Sequence, residues 1–184
     1  ILADHETIIT IENPSFLTLL SNTLFDTIYH EHYSYLSAHS VMAVARLSGL
    51  NLIHVDSIAT HGGSNRYWLS KSASEDQTVS EILKQEKLEG LFSNSLWESF
   101  RKRTEISIQG LRDWFCERRQ AGDSVVGYGA AHKGNTFLNA VGDASRDLHY
   151  VVDASSEKHG KYLPGSQVLV LPTEKLNFIN PSDI

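Results

Sequence analysis

The densest run of chemically capable side chains in the sequence is Tyr29-His30-Glu31-His32-Tyr33. Histidine changes its charge near neutral pH, and a neutral histidine beside a carboxylate is a competent general base. A tyrosine hydroxyl can donate a hydrogen bond to an oxyanion that develops during a reaction. The same run also fits a polar loop that hydrogen-bonds to itself, so both interpretations stay open on these residues alone.

A zinc site is another interpretation of the same run. His30 and His32 would share one face of a strand, but the spacing is not His-Glu-x-x-His and no third ligand is evident. Cys116 is the one cysteine of the chain, so neither a Cys-rich zinc site nor an internal disulfide can form. We therefore predict no metal site.

A second polar cluster is His61-Gly62-Gly63-Ser64-Asn65-Arg66. Its two glycines allow backbone N–H groups to approach a ligand, and Arg66 can pair with a carboxylate or a phosphate. On this motif alone a tight turn between two strands explains the residues better, because Gly-Gly is expected in such turns.

A third cluster is the run Gly127-Tyr128-Gly129-Ala130-Ala131-His132-Lys133-Gly134-Asn135. A predicted strand leads into glycines and then into a helix N-terminus, which is an anion-binding geometry. With Asp153 at the end of the next predicted strand, the pattern is similar to a dinucleotide-binding fingerprint. It departs from that fingerprint because His132 stands where the third glycine would be, while Lys133 favours a phosphate ligand. A turn whose glycines serve only helix–strand packing is equally consistent.

The hydrophobic pattern predicts the strands that must position these clusters. They cover residues 7–12, 51–58, 66–69, 124–129, 148–153 and 167–172. In the last part of the chain, strands alternate with a helix at the spacing of a parallel sheet. The sequence therefore predicts an α/β fold.

The predicted helices lie between these strands. Ser37 is a suitable N-cap for a helix that ends at Gly49. One side of this helix is predicted to carry its apolar residues Val41, Val44, Ala45 and Leu47. Residues 75–120 contain no proline and show a helical period, with Gly122 as the stop, and a further helix is predicted over 136–141.

Composition narrows the possible functions. The chain has 184 residues, which corresponds to one domain or two small lobes, and 22 acidic against 16 basic residues give a net charge of −6. An acidic chain without a basic stripe is a poor candidate for nucleic-acid binding. No apolar run approaches the ~20 residues of a membrane helix, and no signal peptide is visible. We expect a cytoplasmic protein without nucleic-acid or membrane partners.

Taken together, the motifs closely resemble the sugar C-methyltransferase family. The stretches that carry the resemblance follow one another in this order: Phe25-Asp26-Thr27-Ile28-Tyr29-His30-Glu31-His32-Tyr33-Ser34-Tyr35, Thr60-His61-Gly62-Gly63-Ser64, Gly127-Tyr128-Gly129-Ala130-Ala131, Lys133-Gly134-Asn135-Thr136, Tyr150-Val151-Val152-Asp153 and Gly160-Lys161-Tyr162-Leu163-Pro164-Gly165. The resemblance implies that residues 1–72 are the end of a class I methyltransferase sheet and that 73–122 form a helical connector. Residues 123–184 would be a truncated, Rossmann-like C-terminal lobe with parallel strands.

The resemblance also implies a chemistry. Members of the family use S-adenosylmethionine to methylate a carbon next to a ketone on a nucleotide-linked deoxysugar. By motif match His32 is the expected base, while Tyr29 and Glu31 would hold the sugar and the enolate oxygen or orient the base. His30 is a further catalytic candidate that could instead be structural.

Substrate contacts are expected from both halves of the chain. The resemblance suggests that Lys133 and Asn135 bind the nucleotide diphosphate and that His61 and Arg66 border the cleft. It places most S-adenosylmethionine contacts, and the zinc of the family's N-terminal segment, upstream of this chain. It leaves open whether this fragment alone is active, and the oligomeric state is not indicated.

Two other functions remain possible at this stage. One is a nucleotide-sugar-binding module that has no catalytic activity. The other is an NAD(P)-dependent oxidoreductase, which Gly127, Gly129 and Asp153 suggest and the displaced third glycine disfavours.

Overall fold

The computed structural model describes residue 4 and residues 6–177. The chain divides into two compact units. The N-terminal unit comprises Ile1–Phe25 and His32–Lys102, and the C-terminal unit comprises Asp26–Glu31 and Arg103–Ile184. Both units combine helices with a sheet, so the predicted α/β class is confirmed.

The N-terminal unit is built on a three-stranded antiparallel sheet. Its strands are β1 (Ile8–Pro14), β2 (Asn51–Ile58) and β3 (Ser64–Ser70), in the order β1-β3-β2. The helices are α1 (Phe16–Ser21), α2 (Ala38–Leu47) and α3 (Gln77–Leu88), followed by the start of α4 (Asn94–Ala121). The bounds predicted for β2 from its alternating pattern are confirmed.

Helices α2 and α3 cover the sheet of this unit. They pack through a buried cluster that includes Val41, Ala45, Leu52, Val55, Tyr67, Leu69, Val79 and Ile82. The apolar side predicted for α2 is half wrong, because Val44 is 60% exposed and Leu47 is 90% exposed. At about 100° per residue Leu47 lies far around the helix from Val41, whereas Val41 and Ala45 share a face.

A buried glutamate satisfies the first turn of α2. Glu86 on α3 is 1% exposed, and its carboxylate accepts hydrogen bonds from the backbone N–H groups of Ala38 and His39. Ser37 accepts from the Ser40 N–H at 3.2 Å and forms the predicted N-cap. Since first-turn N–H groups have no partner inside the helix, Glu86 and Ser37 together supply their acceptors.

We expect Glu86→Ala to destabilise the N-terminal unit. The substitution leaves the N–H groups of Ala38 and His39 buried without an acceptor, and the free energy of unfolding should fall by about 3 kcal/mol. Glu86→Gln keeps one acceptor oxygen and should lose about half as much. Urea unfolding midpoints measure both changes.

The matched control is Glu81→Gln on the same helix. Glu81 is exposed and accepts a hydrogen bond from the Gln77 side chain one turn away, so its replacement should change stability by less than about 0.5 kcal/mol. A Trp114→Phe background lets the fluorescence of Trp68 and Trp97 report this unit alone. Equal midpoints for Glu81→Gln and Glu86→Ala would contradict the capping role.

The C-terminal unit contains the predicted parallel sheet. Its strands are β4 (Val125–Tyr128), β5 (Leu148–Asp153) and β6 (Val170–Pro172), in the order β4-β5-β6, and α5 (His132–Val141) connects β4 to β5. One face of the sheet packs with Phe115 of α4 and Val141 of α5, and the other carries Val126, Tyr150 and Val152. Helix α5 begins at His132 rather than at Thr136, since the glycine in its first turn does not prevent helix formation.

Candidate functional site

Glycine is required both near the end of β4 and in the turn that follows it. A Cβ on Gly127 would lie 2.9 Å from the Val151 side chain, so only glycine lets β4 approach β5 this closely. Gly129 has φ +91°, in the left-handed region, and its N–H donates to the Val152 carbonyl at 2.7 Å. The chain thereby turns directly from the end of β4 into α5.

Helix α5 starts without a capping side chain. Its N-cap residue is Ala131, and no side chain in the described part of the chain accepts a hydrogen bond at this cap. The first-turn N–H groups of His132, Lys133 and Gly134 lie at the positive end of the helix dipole. This arrangement favours an anion at the carboxyl end of the parallel sheet.

Asp153 at the end of β5 ties this turn to the following loop. Its carboxylate accepts from the Ala130 N–H at 2.7 Å, the Ser155 N–H at 2.8 Å and the Lys158 ammonium at 3.0 Å. Lys158 also donates to the Ala130 carbonyl at 2.9 Å. The Ser155 N–H and then the Lys158 ammonium lower the pKa of Asp153 from 3.8 to about 2.

These contacts count against the dinucleotide interpretation. In that fingerprint the acidic residue accepts hydrogen bonds from ribose hydroxyls. Asp153 is 9% exposed and already accepts from three protein donors. Its position at the strand end therefore serves the turn rather than a nucleotide ribose.

A cavity of about 280 Å³ opens beside the start of α5. Residues from four segments of the C-terminal unit line it: Tyr29, His30, Ala130, Ala131, His132, Asn135, Thr136, Lys158, Lys161, Tyr162, Leu163, Pro164 and Val170. The Oδ1 atom of Asn135 is buried and has no hydrogen-bond partner. The two lysines suit an anionic ligand, and the two tyrosines suit a ligand that also carries a ring. The unsatisfied Asn135 oxygen can accept a hydrogen bond from a hydroxyl or N–H group of such a ligand.

His132 contacts each residue of the segment Tyr29–Glu31, of which Tyr29 and His30 line the cavity. The rings of Tyr29 and His132 stack at 5.3 Å with an interplanar angle of 23°. His30 meets the same imidazole edge-on at 6.1 Å, and the Glu31 Oε2 atom lies 4.0 Å from His132 Nδ1. One histidine thus contacts three consecutive residues of the predicted catalytic run.

Comparison with known proteins identifies the family. A family model described as the C-methyltransferase C-terminal domain matches residues 59–183. The chain belongs to the C-methyltransferase family. This confirms the family that the motifs predict.

One relative of this C-methyltransferase chain is the C-methyltransferase NovU of Streptomyces niveus. The two are 32% identical over 168 residues. The aligned region is 90% of this chain and 40% of the relative, so the chain spans less than half the relative's length.

The predicted site residues of the C-methyltransferase chain fall in both units. Tyr29, His30 and Asn135 line the same cavity. Glu31 lies beside His132, and Lys133 is in the first turn of α5 without lining the cavity.

The remaining predicted residues, His32, His61 and Arg66, belong to the N-terminal unit. His61 lies in a turn with φ +55°. The Arg66 guanidinium donates to Oε2 of Glu12 on β1, at 3.2 Å from Nε and 2.9 Å from Nη2. Its predicted role as an anion ligand therefore competes with a cross-strand partner that the sequence does not reveal.

Several residues that line the cavity are not predicted as site residues from the sequence. His132, Lys158, Lys161 and Tyr162 all line the cavity, yet none was assigned a role. Lys161 and Tyr162 belong to a motif of the family resemblance, which was a usable signal. For His132 and Lys158 no sequence signal exists, because their contacts depend on the tertiary fold.

The described residues contain neither a cluster of metal ligands nor a helix that could span a membrane. Among residues 4 and 6–177, no group of three or more His, Cys, Asp or Glu side chains could hold a metal ion. Over the same residues, no helix combines the length and apolar character needed to cross a membrane.

We expect Asp153→Asn to remove part of the acid dependence of stability. The folded pKa of Asp153 is lowered, so its contribution is complete above pH 3.8 and is lost as the pH falls towards about 2. The variant should be less stable by about 2 kcal/mol at neutral pH, with a smaller loss of stability between about pH 4 and 2. Urea unfolding followed by circular dichroism across this pH range measures both effects.

Asp143→Asn is the matched control. Asp143 is exposed and pairs with Arg146 on the surface, where an ion pair contributes little. Its replacement should leave the pH profile unchanged. Parallel profiles for wild type and Asp153→Asn between about pH 4 and 2 would contradict the role given to Asp153.

Proposed function

We propose that the protein containing this chain transfers a methyl group from S-adenosylmethionine to a carbon next to a ketone on a nucleotide-linked deoxysugar. The observation that carries the proposal is the cavity at the uncapped start of α5, which the Tyr29–Glu31 segment helps to line. In this proposal the protein acts in the cytoplasm, in the biosynthesis of deoxysugars.

The cavity suits the nucleotide diphosphate end of such a substrate. The N–H groups of the first turn of α5 and the Lys161 ammonium are donors for phosphate oxygens, and Lys133 adds positive charge in the same turn. Asn135 offers a carboxamide whose buried oxygen has no protein partner. The aromatic faces of Tyr29 and Tyr162 can pack against a sugar or a base.

The proposed reaction begins with loss of a proton. A carbonyl makes the neighbouring C–H acidic, and a neutral histidine can take up this proton while a donor stabilises the enolate oxygen. We assign the base role to His32, with Tyr29 and Glu31 holding the sugar or the enolate oxygen. His30 is assigned as a further contact beside them. When bound, S-adenosylmethionine would supply the methyl group to the enolate carbon and leave as S-adenosylhomocysteine.

Asp153 does not suit the ribose of S-adenosylmethionine. At the carboxyl end of β5, where an acidic residue could accept from the adenosyl ribose, Asp153 is already used by Ala130, Ser155 and Lys158. We therefore assign this chain to sugar-nucleotide binding and proton removal and assign it no step of the methyl transfer.

His61 and Arg66 are proposed as further substrate contacts from the N-terminal unit. The pair between Arg66 and Glu12 is exposed, with side chains 42% and 39% exposed. Surface ion pairs are worth about 0–1 kcal/mol, so an oxygen atom of the substrate can replace Glu12 at low cost.

A second candidate function is a nucleotide-sugar-binding module without catalysis. It shares the cavity with the leading proposal and needs no base. The two differ in whether turnover depends on His32.

We expect this chain to bind thymidine diphosphate but not S-adenosylhomocysteine. Isothermal titration calorimetry with each ligand in turn measures both affinities. Lys161→Ala removes a cavity cation and should weaken diphosphate binding about tenfold.

Lys84→Ala is the charge-matched control, because Lys84 is an exposed residue of α3 in the N-terminal unit. It should bind thymidine diphosphate as wild type does. Equal weakening by both variants would indicate a nonspecific charge effect. Tight binding of S-adenosylhomocysteine would contradict the division of labour proposed here.

In the complete protein we expect His32→Ala to lower kcat by 10²-fold or more, roughly the share of a general base. The affinity for the nucleotide should stay within about twofold of wild type, because the diphosphate contacts lie in the C-terminal unit. His149→Ala, an exposed histidine of β5, is the control. Turnover that survives in His32→Ala would remove the base role from His32.

A further inference from the structure

The predicted catalytic run is divided between the two units. The boundary falls between Glu31 and His32, although these residues are adjacent in the chain. Residues Asp26–Glu31 belong to the C-terminal unit, while the chain on both sides of them belongs to the N-terminal unit. The placement of Tyr29 and Glu31 therefore depends on contacts within the C-terminal unit.

His132 makes these contacts. It is the first residue of α5 and lines the cavity, and its imidazole stacks on Tyr29 at 5.3 Å. The same ring lies 6.1 Å from that of His30 and 4.0 Å from the Glu31 carboxylate. The three residues that His132 contacts are far from it in the sequence, but they follow one another directly in the chain.

We propose that His132 is a positioning residue that holds Tyr29 and Glu31 at the sugar-nucleotide cavity. The inference rests on the proposed function for the roles of Tyr29 and Glu31, while the contacts themselves do not depend on it. Because His132 also starts the uncapped turn of α5, one side chain joins the proposed diphosphate site to the residues proposed to act on the sugar.

The ring stack, rather than the ion pair, carries this positioning. The side chains of His132 and Glu31 are 61% and 55% exposed, and an exposed pair at 4.0 Å contributes little. Stacked aromatic rings gain beyond their buried area and retain this gain without a charge. An aromatic substitute for His132 should therefore preserve the placement of Tyr29.

The first test measures the Tyr29 ring directly in this chain. Tyrosines labelled with ¹³C are observed by NMR, and the Tyr29 signal is assigned by its loss in Tyr29→Phe. His132→Ala should shift the Tyr29 ring signals because the neighbouring ring current is lost, whereas His132→Phe should keep them displaced. His149→Ala is the control for removing a histidine from the same unit. An unchanged Tyr29 signal in His132→Ala would overturn the proposal.

The second test separates positioning from ligand binding in the complete protein. His132→Ala should lower kcat by about tenfold, with the Kd for thymidine diphosphate changed less than about threefold, and His132→Phe should restore most of kcat. A weakened Kd with unchanged kcat would overturn the proposal, because His132 would then be a ligand contact only. So would a His132→Phe variant that is as slow as His132→Ala.

The two tests fail for different reasons. If thymidine diphosphate does not bind wild type, the proposed function fails, and the Tyr29 signal still reports whether His132 holds the segment. If the nucleotide binds and the Tyr29 ring signals are unchanged in His132→Ala, the proposed function stands and the positioning role of His132 is refuted.

Discussion

The C-terminal unit depends most on the hydrogen bonds that the Asp153 carboxylate accepts. The Oδ2 atom of this carboxylate accepts from both the Ala130 N–H and the Lys158 ammonium, so one group holds two walls of the cavity. The Ala130 contact sets the path of the chain into α5 and hence where the uncapped N–H groups lie. The Lys158 contact anchors the loop that continues to Lys161 and Tyr162. A charged acceptor suits this task, since charge-assisted hydrogen bonds are about twice as strong as neutral ones.

The N-termini of α2 and α5 serve opposite purposes. In α2, Ser37 and the buried Glu86 satisfy the first turn, and the helix serves the core. In α5 the cap is an alanine, and the first turn lies beside a cavity that contains lysines. The same backbone chemistry stabilises the fold in one unit and lies at the proposed binding site in the other.

Hydrophobic pattern was enough to predict the parallel sheet of the C-terminal unit and the existence of its strands, although β6 begins at Val170 rather than at residue 167. It failed where a polar residue occupies an apolar position, as at Glu86, whose partners are remote in sequence. It also failed for Leu47, which is apolar but lies off the buried face of α2. The partner of Arg66 could not be predicted, because the pairing with Glu12 depends on the register of β1 against β3.

The candidate site was predictable only in part, and for a physical reason. Residue types and family motifs mark Tyr29, His30 and Asn135 in the sequence, and the structure brings these three to one cavity. In the sequence, His132 is visible only as the residue that breaks the glycine pattern. Its stack on Tyr29 is a tertiary contact, which no local spacing in the sequence records.

Mapping backbone amide shifts during a thymidine diphosphate titration tests the central claim most directly. The account predicts that the amides of His132, Lys133 and Gly134 shift downfield and saturably, because phosphate oxygens accept hydrogen bonds from the first turn of α5. Shifts confined to other parts of the chain, or saturable binding that leaves these amides unchanged, would contradict the assignment of this cavity to the nucleotide diphosphate.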